Sequence, residues 1–229
     1  MTNWNLEIMD GLKQTEEERS FIGGKPNIPP EIVIPQCSMC NSELTFMFQI
    51  EFPMGHSWHG KSLAVFFCTT TFHDEFCIPE FPDVQDLFGV DITADFLRHY
   101  ARNFRVIVFD TAKGKVRENY EEKVAFKKLR ISSTNCIDSR AIFVLGGDPI
   151  WIMGIDETPR SIDGREPTLL LQVKEDFLFQ TIESAPPQET IMKALREDGN
   201  YQLFASDRIY FWGVKDKSIP LVYITVQSP

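Results

Sequence analysis

Cys37-Ser-Met-Cys40 sets two thiols two residues apart on a short turn. Such a turn presents both sulfurs to one tetrahedral ion, most often zinc. A closed site needs two further ligands. Cys68 and Cys77 complete the pattern C-x2-C-x27-C-x8-C, and His56 and His59 complete C-x2-C-x15-H-x2-H. His73 lies between Cys68 and Cys77, so a mixed set is a third option. Two arguments place the set Cys37, Cys40, Cys68 and Cys77 first. Cys68 ends an apolar strand that pairs with the strand following Cys40, so its sulfur returns toward the turn. The H-x2-H spacing is also shorter than that of Cys₂His₂ sites. The competing reading keeps Cys68 and Cys77 as buried free thiols beside a metal-free loop. A thiol nucleophile at Cys68, with His59 or His73 and Asp74, is a further alternative. Proximity in sequence does not supply its geometry. Cys136 stands apart and reads as a buried thiol. No G-x-S-x-G, phosphate-cradling Gly loop or H-E-x-x-H occurs, and no carboxylate pair stands out.

The elements that must position these residues are mostly strands. In Leu44–Phe52 the even positions are Leu, Phe, Phe, Ile and Phe, and the odd ones Thr, Met, Gln and Glu. Alternation of this kind predicts a half-buried strand. Ser62–Cys68 is nearly all apolar and reads as a central strand. Arg105–Asp110, Ala141–Leu145, Tyr201–Phe204, Ile209–Trp212 and Leu221–Val226 follow as strands. Trp4, Ile8 and Leu12, four apart, suggest a short amphipathic helix at the start. Thr93 is placed to cap a helix over Phe96, Leu97 and Tyr100. Pro187 leads another through Ile191, Met192 and Leu195, stopped by Gly199. Residues 74–90 read as loop, and the charged stretch 115–135 yields no clear element.

One offset recurs. Leu145-Gly-Gly-Asp-Pro149 follows Ile22-Gly-Gly-Lys-Pro26 by 123 residues, and Leu169-Leu-Leu-Gln-Val173 follows Phe46-Met-Phe-Gln-Ile50 by the same 123. The pattern implies one domain over 1–229, with half-units at 21–110 and 144–229. Neither half covers its own sheet, so the halves are expected to share one core. The predicted class is α+β, rich in β: a duplicated antiparallel-sheet unit with a few short helices. The Gly pairs mark positive φ or a close backbone approach. Gln49 and Gln172 are expected to bind backbone at a sheet edge. Any metal belongs to the first half, because no Cys lies between Pro149 and Leu169.

Composition bounds the function. Asp and Glu number 33 against 23 Lys and Arg, giving a net charge of −10. That balance disfavours a dedicated nucleic-acid binder, which needs a basic face, and it suits a basic protein partner. No run is apolar enough to span a membrane. An odd Cys count without an export signal points to the cytoplasm. Trp151 and Trp212 read as core rather than as a stacking platform for bases.

Phe21-Ile-Gly-Gly-Lys-Pro, Pro35-Gln-Cys-Ser-Met-Cys40, the strand with Gln49, Tyr100–Thr111, Leu170-Leu-Gln-Val and Ile209-Tyr-Phe-Trp resemble the bacterial YwqG-like family, whose function is unknown. The first half is also similar to the programmed cell death protein 2 family. There a Gly-Gly-x-Pro turn, a C-x2-C, a Gln-bearing strand and a His-to-Phe-Phe-Cys strand occur in the same order, as in His59–Cys68 with Cys77. That resemblance implies a metal-binding, non-enzymatic escort of a basic ribosomal protein, although the extra Cys-rich finger of that family is missing here. The expectation is therefore a non-catalytic intracellular protein-binding module with a structural zinc, either escort or neutraliser of a basic protein such as a toxin. The alternative is an enzyme or small-ligand binder using the cleft between the halves.

Overall fold

The computed structural model describes residues 2–70, 89–134, 141–154, 156, 158–189, 195–203, 208–215 and 220–227. In chain order the elements are β1 (Asn3–Met9), β2 (Phe21–Ile22), β3 (Asn27–Ile28), β4 (Thr45–Glu51), β5 (Lys61–Phe67), β6 (Asp91–Ile92), α1 (Ala94–Tyr100), β7 (Phe104–Asp110), β8 (Lys115–Val116), β9 (Lys127–Thr134), β10 (Phe143–Leu145), β11 (Ser161–Ile162), β12 (Thr168–Val173), β13 (Leu178–Gln180), β14 (Asn200–Gln202), β15 (Arg208–Val214) and β16 (Leu221–Gln227). Ten of these strands form one antiparallel sheet, in the order β16-β15-β12-β10-β1-β9-β2-β4-β5-β7. Helix α1 bridges its two edges. Tyr100 packs on Phe104 at 5.3 Å between ring centres and on Tyr223 at 5.6 Å, and its hydroxyl donates to Val222 O at 3.0 Å. The sheet is thereby nearly closed.

The expected opening helix is instead β1, at the middle of the sheet. Trp4, Leu6 and Ile8 all belong to the main core. A spacing of four is even, so it fits the two-residue period of a strand as well as a helical turn, and Leu6 breaks the tie. The charged stretch that yielded no element supplies β9, the partner of β1 over the full run from Asn3↔Thr134 to Met9↔Lys128. Its apolar residues Leu129 and Ile131 turn to the same core as β1, while Arg130 between them is exposed. The expected helix start at Thr93 is present: Thr93 Oγ1 accepts from Phe96 N at 3.1 Å. Of the helix expected from Pro187, residues 190–194 lie outside the described residues. The flanks are not helical and meet in a Glu189↔Leu195 bridge. Most of the expected 74–90 loop and the end of the Tyr201–Phe204 strand likewise lie outside the described residues.

β4 is covered on both faces rather than half-buried. A bulge between Phe46 and Phe48 changes the phase of the alternation. Leu44 and Phe46 enter one cluster with Phe21 and Phe66, whereas Phe48, Ile50 and Phe52 enter the main core. The other flank repeats this pairing. Phe21 faces Gln49 and Ile22 faces Phe48; 123 residues on, Val144 faces Gln172 and Leu145 faces Leu171. The register slips between Phe46 and Phe48 and again between Leu169 and Leu171. Gly23 N donates to Met47 O at 2.9 Å, and Gly146 N to Leu170 O at 3.1 Å. Asn27 N donates to Gln49 Oε1 at 3.2 Å, and Ile150 N to Gln172 Oε1 at 2.9 Å. Both glutamines thus bind backbone as expected. They do so from inner strands, each flanked on both sides, and not from a sheet edge.

The adjacent glycines have φ of +59° and +66° at 23 and 24, and +63° and +73° at 146 and 147. Space forbids a side chain as firmly as conformation does: a Cβ on Gly23 would lie 2.4 Å from Val124 O.

Phe48 is fully buried where the flanks meet. Its ring lies 5.3 Å from Phe143, 6.1 Å from Phe211 and 6.2 Å from Phe179. Phe48→Ala is expected to cost about 3–5 kcal/mol, read as a lowered denaturation midpoint at unchanged slope. A loss below about 1 kcal/mol would contradict this packing.

Candidate metal centre

The turn that carries Cys37 and Cys40 is a small hairpin leading into β4. Leu44 N donates to Pro35 O at 2.9 Å, Cys37 N to Ser42 O at 2.8 Å and Asn41 N to Cys37 O at 2.8 Å. Asn41 takes the left-handed conformation that closes the turn, with φ of +62°. Antiparallel pairing of Thr45 with Phe67 then brings the first residue after β5, Cys68, beside the hairpin. The segment before β7 holds both parts. Arg102 O accepts from Ser38 N at 2.8 Å and from Ser38 Oγ at 2.7 Å, while Asn103 O accepts from Cys68 N at 2.8 Å.

The sulfurs of Cys37, Cys40 and Cys68 converge, all within 4.8 Å of one another. Cys40 Sγ and Cys68 Sγ are 3.7 Å apart. That is far beyond a disulfide bond. It is the edge expected of a tetrahedron of sulfurs about 2.3 Å from a central ion, about 3.8 Å. Cys37 and Cys68 are buried and Cys40 half-buried, as suits ligands enclosed by protein. Three soft thiol donors in one tight group fit zinc better than a hard cation. Cys77, His73 and Cys136 lie outside the described residues.

His56 and His59 do not join the cluster. They precede β5 while Cys68 follows it, and seven residues of strand span about 23 Å. His59 is exposed. His56 is buried, its Nδ1 accepts from Trp58 N at 3.0 Å, and its ring stacks on Phe52 at 4.7 Å and meets Trp4 edge-on at 5.4 Å. The same separation removes His59 as the base for a Cys68 nucleophile.

No protein-family model matches this chain, and no curated protein matches it either.

Two outcomes are expected. Protein purified without chelator should contain about one zinc per chain, and Cys68→Ser should lower both zinc content and Tm. Folded, zinc-free protein would exclude the metal. Separately, burial first and Lys215 second hold the His56 pKa down to about 4, against 6.5 unperturbed. The unfolded chain therefore binds a proton that the folded chain does not between those values. The His56 contribution to stability is full above pH 6.5 and lost as pH falls toward 4, by about 3 kcal/mol. His56→Gln should flatten that part of the stability profile; an unchanged slope would refute it.

Proposed function

We propose that this chain is a non-catalytic intracellular protein-binding module, escort or neutraliser of a protein with a basic surface, stiffened by a structural zinc. Charge is the observation that carries the binding half of the reading. The chain has ten more acidic than basic side chains. Among the described residues, ten of the Lys and Arg side chains are already held in ion pairs with the chain's own carboxylates. Each such pair also uses a carboxylate, so the excess of ten acidic side chains is left over and the net surplus facing a partner is negative. Such a surplus accelerates encounter with a basic partner and weakens with salt.

Zinc would be held by Cys37, Cys40 and Cys68, with Cys77 as the fourth ligand. It would tie the hairpin before β4 to the end of β5 and leave no open position for substrate. The repeated pairing at an offset of 123 supports an internal duplication, and the aromatic contacts of Phe48 support a core common to both halves. The order of motifs that resembles the programmed cell death protein 2 family is consistent with an escort role.

A second reading, a small-ligand binder or enzyme, is favoured by one observation. A cleft of about 620 Å³ lies between residues of the two halves and includes His56. With Nδ1 bound to the Trp58 amide, only Nε2 of His56 remains for chemistry there.

The test of the first reading is a pull-down with the tagged chain from its native host at low and moderate salt, read by mass spectrometry. A dominant basic protein that elutes as salt rises is expected. Nothing retained at either salt, or only acidic proteins, would sink it.

A further inference from the structure

The two Gly-Gly turns are built alike but finished differently. In the first, Gln14 lies against Gly24, and its amide spans the next residue: Oε1 accepts from Lys25 N at 2.9 Å and Nε2 donates to Lys25 O at 2.6 Å. This is how a passing peptide group would pair with that residue, so the first turn carries its own amide. In the second turn the corresponding residue is Asp148, 123 positions on. Asp148 O accepts from Gln172 Nε2 at 3.2 Å. Asp148 N has no acceptor among the described residues. Behind the same turn, Asn3 Oδ1 is buried against Gly147 with no donor among the described residues. An amide donor and an amide acceptor are thus both unspent at the second turn.

This turn forms one wall of the cleft of about 620 Å³ that runs between the halves. Trp4, His56 and Trp212 line its floor, and the exposed carboxylates of Asp148 and Glu166 stand on its walls. Lys215 Nζ donates to the carbonyl of Ser57, itself a lining residue, so one cation is already held at the cleft and the two carboxylates outnumber it. The lining therefore combines a backbone donor, two carboxylates and indole surface. Carboxylates attract a cation, while the two indoles, 6% and 3% exposed, add apolar wall rather than an open face.

We propose that this cleft binds an extended peptide segment bearing a basic side chain. Its backbone docks on the Asp148 N–H, where Gln14 serves the other turn, and its cationic group lies between Asp148 and Glu166. The proposal rests on the basic-partner reading and names where that partner is gripped.

The test uses the full ¹⁵N-labelled chain and the capped peptide acetyl-Gly-Gly-Arg-Gly-Gly-amide, with the Glu-centred peptide as control. The Arg peptide is expected to shift the Gly146, Gly147 and Asp148 amides and the Trp4 and Trp212 indole N–H signals saturably. The double variant Asp148→Asn, Glu166→Gln should weaken that binding at least about ten-fold. Both residues are exposed, so the fold is expected to survive, and undisturbed signals elsewhere check it. No saturable shift up to about 10 mM peptide, shifts confined to another surface, or equal binding of the Glu peptide would overturn the proposal. A basic protein captured equally well by the double variant would overturn the cleft assignment while leaving the basic-partner reading intact.

Discussion

The pairing of β1 with β9 is the constraint on which the rest depends. Each strand stands between the other and a different flank: β1 pairs with β10, and β9 pairs with β2. The N-terminal strand is therefore bonded to the C-terminal flank, and the strand just before that flank is bonded to the N-terminal one. Neither flank completes its sheet without residues that are distant in sequence. Such long-range pairing orders much chain before it yields contacts, but once formed it couples both flanks into one unit.

Both candidate sites follow from that arrangement. On the far side of the first flank, β4 begins and β5 ends beside the hairpin of Cys37 and Cys40, so the three sulfurs converge there. Backbone carbonyls of residues 102 and 103 fix both parts, so the sulfur group does not depend on one flexible loop. At the centre, β1 presents Trp4 against His56, and the turn at Gly146 and Gly147 closes over them. The cleft is thus a product of the same exchange of strands. The sulfur group and the cleft sit at opposite ends of β5.

The two Gly-Gly turns are finished differently. Gly23-Gly24 and Gly146-Gly147 share conformation and pairing, and Gln49 and Gln172 secure the chain after each turn. The first is closed by Gln14 and leads into a Cys-bearing hairpin, whereas the second carries Asp148 and opens on the cleft. The same backbone scheme thus carries different side chains: a sulfur cluster beside the first turn and an exposed carboxylate at the second.

Several of these features are determined by local sequence. The alternation of Leu44–Phe52, the apolar run ending at Cys68, the Thr93 cap and the paired glycines each reflect a local rule of chain geometry, so they are legible in the residues themselves. The return of Cys68 to Cys37 and Cys40 is legible too, because antiparallel pairing of two neighbouring strands allows few other outcomes. Tertiary structure alone decided the rest. Residues 3–9 satisfy helical and strand periods equally until β9 and β10 claim their backbone hydrogen bonds. Residues 127–134 carry too much charge to announce a strand, because their polar face meets solvent and only Leu129 and Ile131 turn inward. The bulge in β4 re-aims Phe46 away from Phe48, which no count of apolar positions reveals. His56 follows the same logic: its sequence neighbours offer it to a metal, and the packing of Phe52, Trp4 and Trp58 buries it in the cleft instead. Local geometry is written in neighbouring residues, whereas which distant strand completes a sheet depends on what the whole chain must bury.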